Sequence, residues 1–181
     1  PRGAGLLYIK NRTPWQASIL GGGQEKERRS GTENVAGAVG LATAMKLAWD
    51  EMNARVAHAR RLRDRLLAEV PERIPDAVIT GPTGPERRLA NNFSCCFRNV
   101  VGESVLLALD LAGTAASSGS ACTTGALEPS HVLTAMGIDR DLAHASLRLT
   151  VGKDTTDEEI DRLLEVLPDV VARLRALAGP G

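Results

Sequence analysis

One apolar stripe limits the folds open to this chain more than any other feature. Val35, Val39, Ala42, Met45, Trp49, Met52, Val56, Ala59, Leu62, Leu66 and Val70 recur at spacings of three and four, the period that places side chains on one face of an α-helix. Arginines and acids fill the remaining positions. The stripe predicts one long helix over residues 34–75, which Pro71 and Pro75 end because proline has no amide to donate and clashes with the preceding turn.

The segments on either side of this helix differ. "PRGAGLLYIK" reads as a glycine-punctuated turn entering a strand at Leu6 to Ile9, and "GGGQEKERRSGTEN" as a charged, glycine-rich loop. Together, residues 1–33 look like the remains of something larger. Residues 76–181 instead alternate strands and helices, the pattern of a compact α+β domain.

In that second stretch "AVIT" is a short strand. "NNFSCCFRN" is another, with Phe93, Cys95 and Phe97 on one face and Ser94, Cys96 and Arg98 on the other. A helix from Glu103 to Leu111 is stopped by Gly113, and a short one in "EPSHVLTAMG" lies between Pro129 and Gly137. "SLRLTVG" turns Leu147, Leu149 and Val151 one way and Arg148 the other. The final helix opens on a capping box, Thr155 with Glu158 or Thr156 with Glu159. It buries Ile160, Leu163, Leu164, Leu167 and Leu174, and Pro168 is expected to bend it.

Charge and cysteine usage narrow the partners. Lysine plus arginine (22) equals aspartate plus glutamate (22), so no bulk field draws the chain to nucleic acid or an anionic membrane. Three cysteines in 181 residues do not form a disulfide framework, and neither a secretion signal nor a membrane-spanning run is evident. A cytoplasmic protein is the expectation. Arginine far outnumbers lysine, with only Lys10, Lys26, Lys46 and Lys153 present.

Few residues are placed for chemistry. Cys95 and Cys96 lie in an apolar strand and read as small hydrophobes. Cys122 sits in "SSGSACTTG", whose small and hydroxyl residues suit a loop that carries a side chain between positions. Its reactivity requires a thiolate; otherwise it is an ordinary exposed thiol. Arg148, flanked by apolar residues, calls for an anionic partner that fits its planar fork, either a bound carboxylate or one of the chain's own acids. Arg28, Arg29 and Thr32 ahead of the long helix suit a phosphate, although turn glycines explain that loop equally. His58 reads as solvated, and His131 and His144 as structural residues or as an acid or base.

The order of four segments is more specific than any one of them. "GGGQEKERRSGTEN", "GESVLLALD", "SSGSACTTGALEPSHVLTAMG" and "LAHASLRLTVGKDTTDEEID" together resemble the C-terminal half of cysteine desulfurases. These are pyridoxal-phosphate enzymes of the class V aminotransferase family that move sulfur from cysteine toward iron–sulfur cluster and thio-cofactor assembly. The resemblance spans essentially the whole chain. It implies the C-terminal part of a type I, aspartate-aminotransferase-like fold: residues 1–33 as the tail of the large cofactor-binding domain, 34–75 as the connecting helix and 76–181 as the small domain.

It also implies residue roles. Cys122 resembles the nucleophile that takes the sulfur of L-cysteine as a persulfide, leaving L-alanine, and a mobile loop lets it reach both cofactor and acceptor. Arg148 resembles the arginine that grips the substrate carboxylate. Thr32 resembles a residue reaching across a homodimer interface to the phosphate of pyridoxal phosphate. In some members the counterpart of Cys122 helps hold an iron–sulfur cluster when a scaffold protein docks, which makes Cys122 the one metal-ligand candidate.

The sequence departs from the family at one point. None of its four lysines matches the Schiff-base lysine, which the pattern places just upstream of Pro1, so the chain alone is expected to be inactive. Two alternatives follow: a non-catalytic sulfur-relay or partner module, or a selenocysteine lyase or related pyridoxal-phosphate enzyme.

Overall fold

The computed structural model describes residues 2–84, 86–118 and 129–178. They divide into two compact units, Pro1–Asn53 and Ala54–Gly181. In the first, a single turn α1 (Gln24–Glu27) interrupts the loops, and α2 (Val35–Arg73) begins. Asn34 caps α2, its Oδ1 accepting the Gly37 amide at 2.9 Å. The strand expected at Leu6 to Ile9 is absent, and among the described residues the first unit has no strand. A strand needs a neighbour for its amides and carbonyls, and none is supplied there.

The second unit takes α2 from Ala54 onward and adds β1 (Ala77–Ile79), β2 (Asn92–Phe97), α3 (Gly102–Leu111), α4 (His131–Ala135), α5 (Arg140–His144), β3 (Ser146–Thr150) and α6 (Asp157–Ala178). The strands form one antiparallel sheet in the order β1-β2-β3. Because successive strand residues alternate in direction, β2 feeds two cores. Phe93, Cys95 and Phe97 join Leu62, Leu66, Val105, Leu109, Leu164 and Leu167 from α2, α3 and α6. Cys96 faces the other way, against Leu133 of α4 and Ala143 of α5. Helices thus cover both faces of a three-stranded sheet, the α+β arrangement expected.

Local signals set most boundaries. Gly113, at φ +83°, follows α3 and donates its amide to Asp110 O at 2.9 Å, a left-handed stop that glycine adopts without steric cost. Of the two possible capping boxes the second forms: Thr156 N donates to Glu159 Oε2 at 2.9 Å, and Glu159 N to Thr156 Oγ1 at 3.2 Å. Leu174 is only partly buried, and Val170 and Val171 complete the inward face of α6. Helix α6 runs through Pro168 to Ala178.

Two boundaries differ from expectation. Helix α2 does not stop at Pro71 but runs to Arg73. A proline this near the C-terminus removes one amide from the last turn, and Ile74 N still reaches Val70 O at 2.9 Å. Helix α5 was not anticipated; Asp139 caps it by accepting from Asp141 N at 3.0 Å and Leu142 N at 3.3 Å.

Candidate functional site

Strand β3 fixes the direction of Arg148. Leu147 and Leu149 enter the main core, so Arg148 emerges on the opposite face of the sheet. There it lines a cavity of about 370 Å³ together with Thr80, Arg88, Ser94, Ser130 and Ser146. Its guanidinium Nη2 donates to Ser117 Oγ at 3.2 Å. The backbones of these residues pair in both directions, Arg148 N to Ser117 O at 2.6 Å and Ser117 N to Arg148 O at 3.1 Å. Among the described residues no carboxylate pairs with Arg148, so the ion pair with one of the chain's own acids is not formed there.

The polar part of the lining is braced by hydrogen bonds, and Pro82, Leu89, Val132, Leu133 and Met136 supply the apolar part. Thr80 Oγ1 donates to Ser94 Oγ at 2.6 Å, and Ser146 Oγ to Ser118 O at 2.6 Å. Arg88 holds the loop between β1 and β2. It donates from Nε to Pro82 O at 2.7 Å, from Nη2 to Thr80 O, and from Nη1 to Asn92 O and Oδ1, both at 3.4 Å. Burial, and then the charge of Arg63, lower the pKa of Arg88 from the ordinary arginine value. Arg63 is itself fully buried; it pairs with Asp64 Oδ1 at 2.6 Å and donates to Leu89 O at 3.0 Å. Both arginines escaped sequence reasoning, because their partners lie across a turn that no local period reveals.

Thr32 belongs to the first unit. It is exposed and lines a separate cavity of about 840 Å³ with Arg28, Arg29, Gly31 and Asn34. The loop ties itself together there: Gly31 N donates to Gln24 Oε1 at 3.2 Å, and Arg29 Nη1 to Ser30 O at 2.7 Å. None of the four lysines lines either cavity.

Cys122 lies outside the described residues, and the metal-ligand expectation attached to it does too. Ser118 and Ser130, on either side of the 119–128 segment, both line the Arg148 cavity. Cys95 and Cys96 are buried and unpaired. Burial pushes the Cys95 thiol well above its ordinary pKa and the Cys96 thiol up to about 11, so neither carries appreciable thiolate near neutrality. His131 and His144 are exposed and line neither cavity. His58 is not solvated as expected: it is partly buried, with Nε2 2.8 Å from Thr155 O. No helix among the described residues is long and apolar enough to cross a membrane.

The family model for aminotransferase class-V matches residues 1–163. The chain is 44% identical over 178 residues to cysteine desulfurase IscS of Clostridium botulinum strain Hall, an alignment covering 98% of this chain and 45% of the relative. Identity is 46% to cysteine desulfurase IscS 1 of Archaeoglobus fulgidus, with 98% and 46% covered. The chain therefore spans about half the length of the curated relatives it matches. Among solved structures, a NifS-like protein superposes with a TM-score of 0.77 at 34% identity, over 92% of this chain and 42% of that one. A NifS-like protein from Rickettsia africae superposes with a TM-score of 0.72 at 27% identity, over 87% and 40%.

Proposed function

The chain belongs to the aminotransferase class-V family, and on that premise we propose that it is the C-terminal part of a cysteine desulfurase, which converts L-cysteine to L-alanine and passes the sulfur on. The observation that carries this reading is the cavity beside Arg148. Its guanidinium has no carboxylate partner among the described residues, and the cavity it lines also carries Thr80, Ser94, Ser130 and Ser146. A planar fork in such a setting takes an amino-acid carboxylate through two parallel hydrogen bonds.

The residues divide the work. Arg148, steadied by Ser117, binds and orients the substrate carboxylate. Cys122, on the segment flanked by the cavity-lining Ser118 and Ser130, supplies the thiolate. Its sulfur forms a bond to the substrate sulfur as the substrate's carbon–sulfur bond breaks, leaving a persulfide on Cys122 and alanine as the other product. Thr32, with Arg28 and Arg29 around the second cavity, presents the hydroxyl and positive charge that suit a phosphate. That donor set fits the phosphate end of pyridoxal phosphate, which when bound supplies the electron sink for carbon–sulfur cleavage. The cofactor's aldehyde end has no counterpart, because no lysine of the chain lines either cavity.

Residues 1–33 form the tail of the large cofactor domain, 34–75 the connecting helix and 76–181 the small domain. The complete protein is a homodimer in which Thr32 serves the partner's cofactor phosphate. The sulfur acceptor is an iron–sulfur scaffold or a thio-cofactor pathway protein, and Cys122 contributes to a transient cluster in the scaffold complex. The proposed setting is the cytoplasm.

The test uses the protein completed to the length of its relatives. It is expected to release alanine from L-cysteine and to carry a persulfide on Cys122, and Cys122→Ala is expected to abolish the persulfide while cofactor absorbance persists. Persulfide formation at the wild-type rate in Cys122→Ala would falsify the assignment.

A further inference from the structure

We propose that Ser94 is a second carboxylate-binding residue, its hydroxyl donating to the same substrate carboxylate that Arg148 holds. This rests on the reading of the Arg148 cavity given above and goes beyond it in naming a neutral donor. The register of β2 and β3 places Ser94 directly opposite Arg148. Residues so paired in an antiparallel sheet share a face, with Cβ atoms about 5 Å apart. Both side chains line the cavity, so a ligand touching one guanidinium edge lies within reach of the serine.

The hydrogen bonds around Ser94 determine what its proton can do. Thr80 is buried, and its hydroxyl donates to Ser94 Oγ at 2.6 Å. A buried hydroxyl proton requires an acceptor, so this bond uses a lone pair of Ser94 and leaves the Ser94 proton for the cavity. The backbone reinforces the pair, with Thr80 N donating to Ser94 O at 3.0 Å.

Among the described residues the Ser94 hydroxyl donates to no partner. Arg148 and Arg88 offer donors only, and Thr80 O is already taken by Arg88. The oxygen of Ser118 accepts from Ser146. The Arg148 guanidinium and the Ser94 hydroxyl, side by side in a cavity otherwise lined in large part by apolar residues, are complementary to an anion with several lone pairs. A carboxylate held edge-on by Arg148 presents those lone pairs to Ser94. Because the donor is neutral and braced by Thr80, it orients the carboxylate without adding charge.

The experiment is calorimetric titration of the completed holoenzyme with two probes, mercaptopropionate, which carries a carboxylate, and mercaptoethanol, which does not. Ser94→Ala is expected to weaken mercaptopropionate about tenfold, the usual effect of losing one hydrogen bond to a charged group, and to leave mercaptoethanol unchanged. Ser94→Thr, which keeps the hydroxyl, is expected to restore affinity. Since Ser94→Ala also strands the buried Thr80 hydroxyl, the double variant Thr80→Val with Ser94→Ala removes both partners and is expected to show the same selective loss in a folded protein. Unchanged mercaptopropionate affinity in these variants, alongside a loss in Arg148→Lys, overturns the Ser94 assignment and leaves the reading of the cavity standing. Equal affinity of the unsubstituted enzyme for both probes overturns that reading and this proposal with it.

Discussion

Residues 2–53 and residues 54–178 are both supplied with apolar side chains, yet only the second region buries any. Leu6, Tyr8 and Trp49 are 73%, 83% and 74% exposed, whereas Leu62, Leu109 and Leu167 are at 0%. The contrast occurs within one helix: the stripe of α2 is exposed from Val35 to Val56 and buried from Ala59 to Val70. An apolar period therefore records a need for cover, and a core exists only where other elements meet that need. The first region also holds Glu25, Lys26 and Glu27 at φ 51°, 58° and 63°, a run of left-handed non-glycine residues that costs about 1–2 kcal/mol each. No burial there offsets it. Contiguous apolar surface of this kind marks a face that soluble proteins normally cover.

The largest test of the contrast compares two leucines. Leu167→Ala removes a fully buried side chain of α6 from the main core and is expected to destabilise the second region by about 2–5 kcal/mol. Leu7→Ala removes one that is already mostly in water and is expected to change stability by less than about 0.5 kcal/mol. Urea denaturation followed by circular dichroism measures both. Equal effects would mean that Leu7 has a packing partner and that the contrast between regions is misplaced.

A smaller test compares glycines. A Cβ at Gly102 would lie 2.4 Å from the carbonyl oxygen of His144, a backbone atom held between α5 and β3, while one at Gly5 would meet nothing within 4 Å. Gly102→Ala is expected to cost about 1–3 kcal/mol through forced displacement, and Gly5→Ala a few tenths at most. If Gly102→Ala melts with the unsubstituted chain, the tight approach of α3 to His144 is not rigid.

What the sequence made legible follows the same division. The α2 stripe, the alternation of Phe93, Cys95 and Phe97 with Cys96, the stop at Gly113 and the box at Thr156 and Glu159 all depend on side chains a few residues apart, so local pattern suffices. The direction of Arg148 was legible for the same reason. The strand at Leu6 to Ile9 was misjudged because pairing depends on neighbours that a local pattern cannot supply. Helix α5 was missed because five residues carry too little periodicity, although Asp139 ahead of "RDLAH" was a usable cap signal. Arg63, Ser94 and His58 were illegible because the partners that define them stand 14 to 97 residues away. Arg88 to Thr80 and Pro82 is shorter, but it closes a turn whose shape is set by the sheet.

The smallest expected effect concerns charge. Asp157, at the start of α6, accepts from Arg61 of α2 at 2.6 and 2.8 Å and from Arg65 at 3.1 Å. The hydrogen bond from Arg61, supported by both arginine charges, holds its carboxyl down at about 2 from the ordinary 3.8. A depressed carboxylate contributes stability that is fully present above its unfolded value and is lost as pH falls through its folded one. The second region should therefore lose this contribution between about pH 4 and pH 2. The groups are partly exposed to solvent, so screening keeps the effect modest and salt should shrink it further. Asp157→Asn is expected to flatten the acid limb of the melting curve in that window. Asp50→Asn, which removes the Lys46 pair at 2.6 Å within one stretch of α2, joins no second element and should leave the limb unchanged. The opposite ranking would show that the exposed part of α2 is braced by charge where it is not braced by packing.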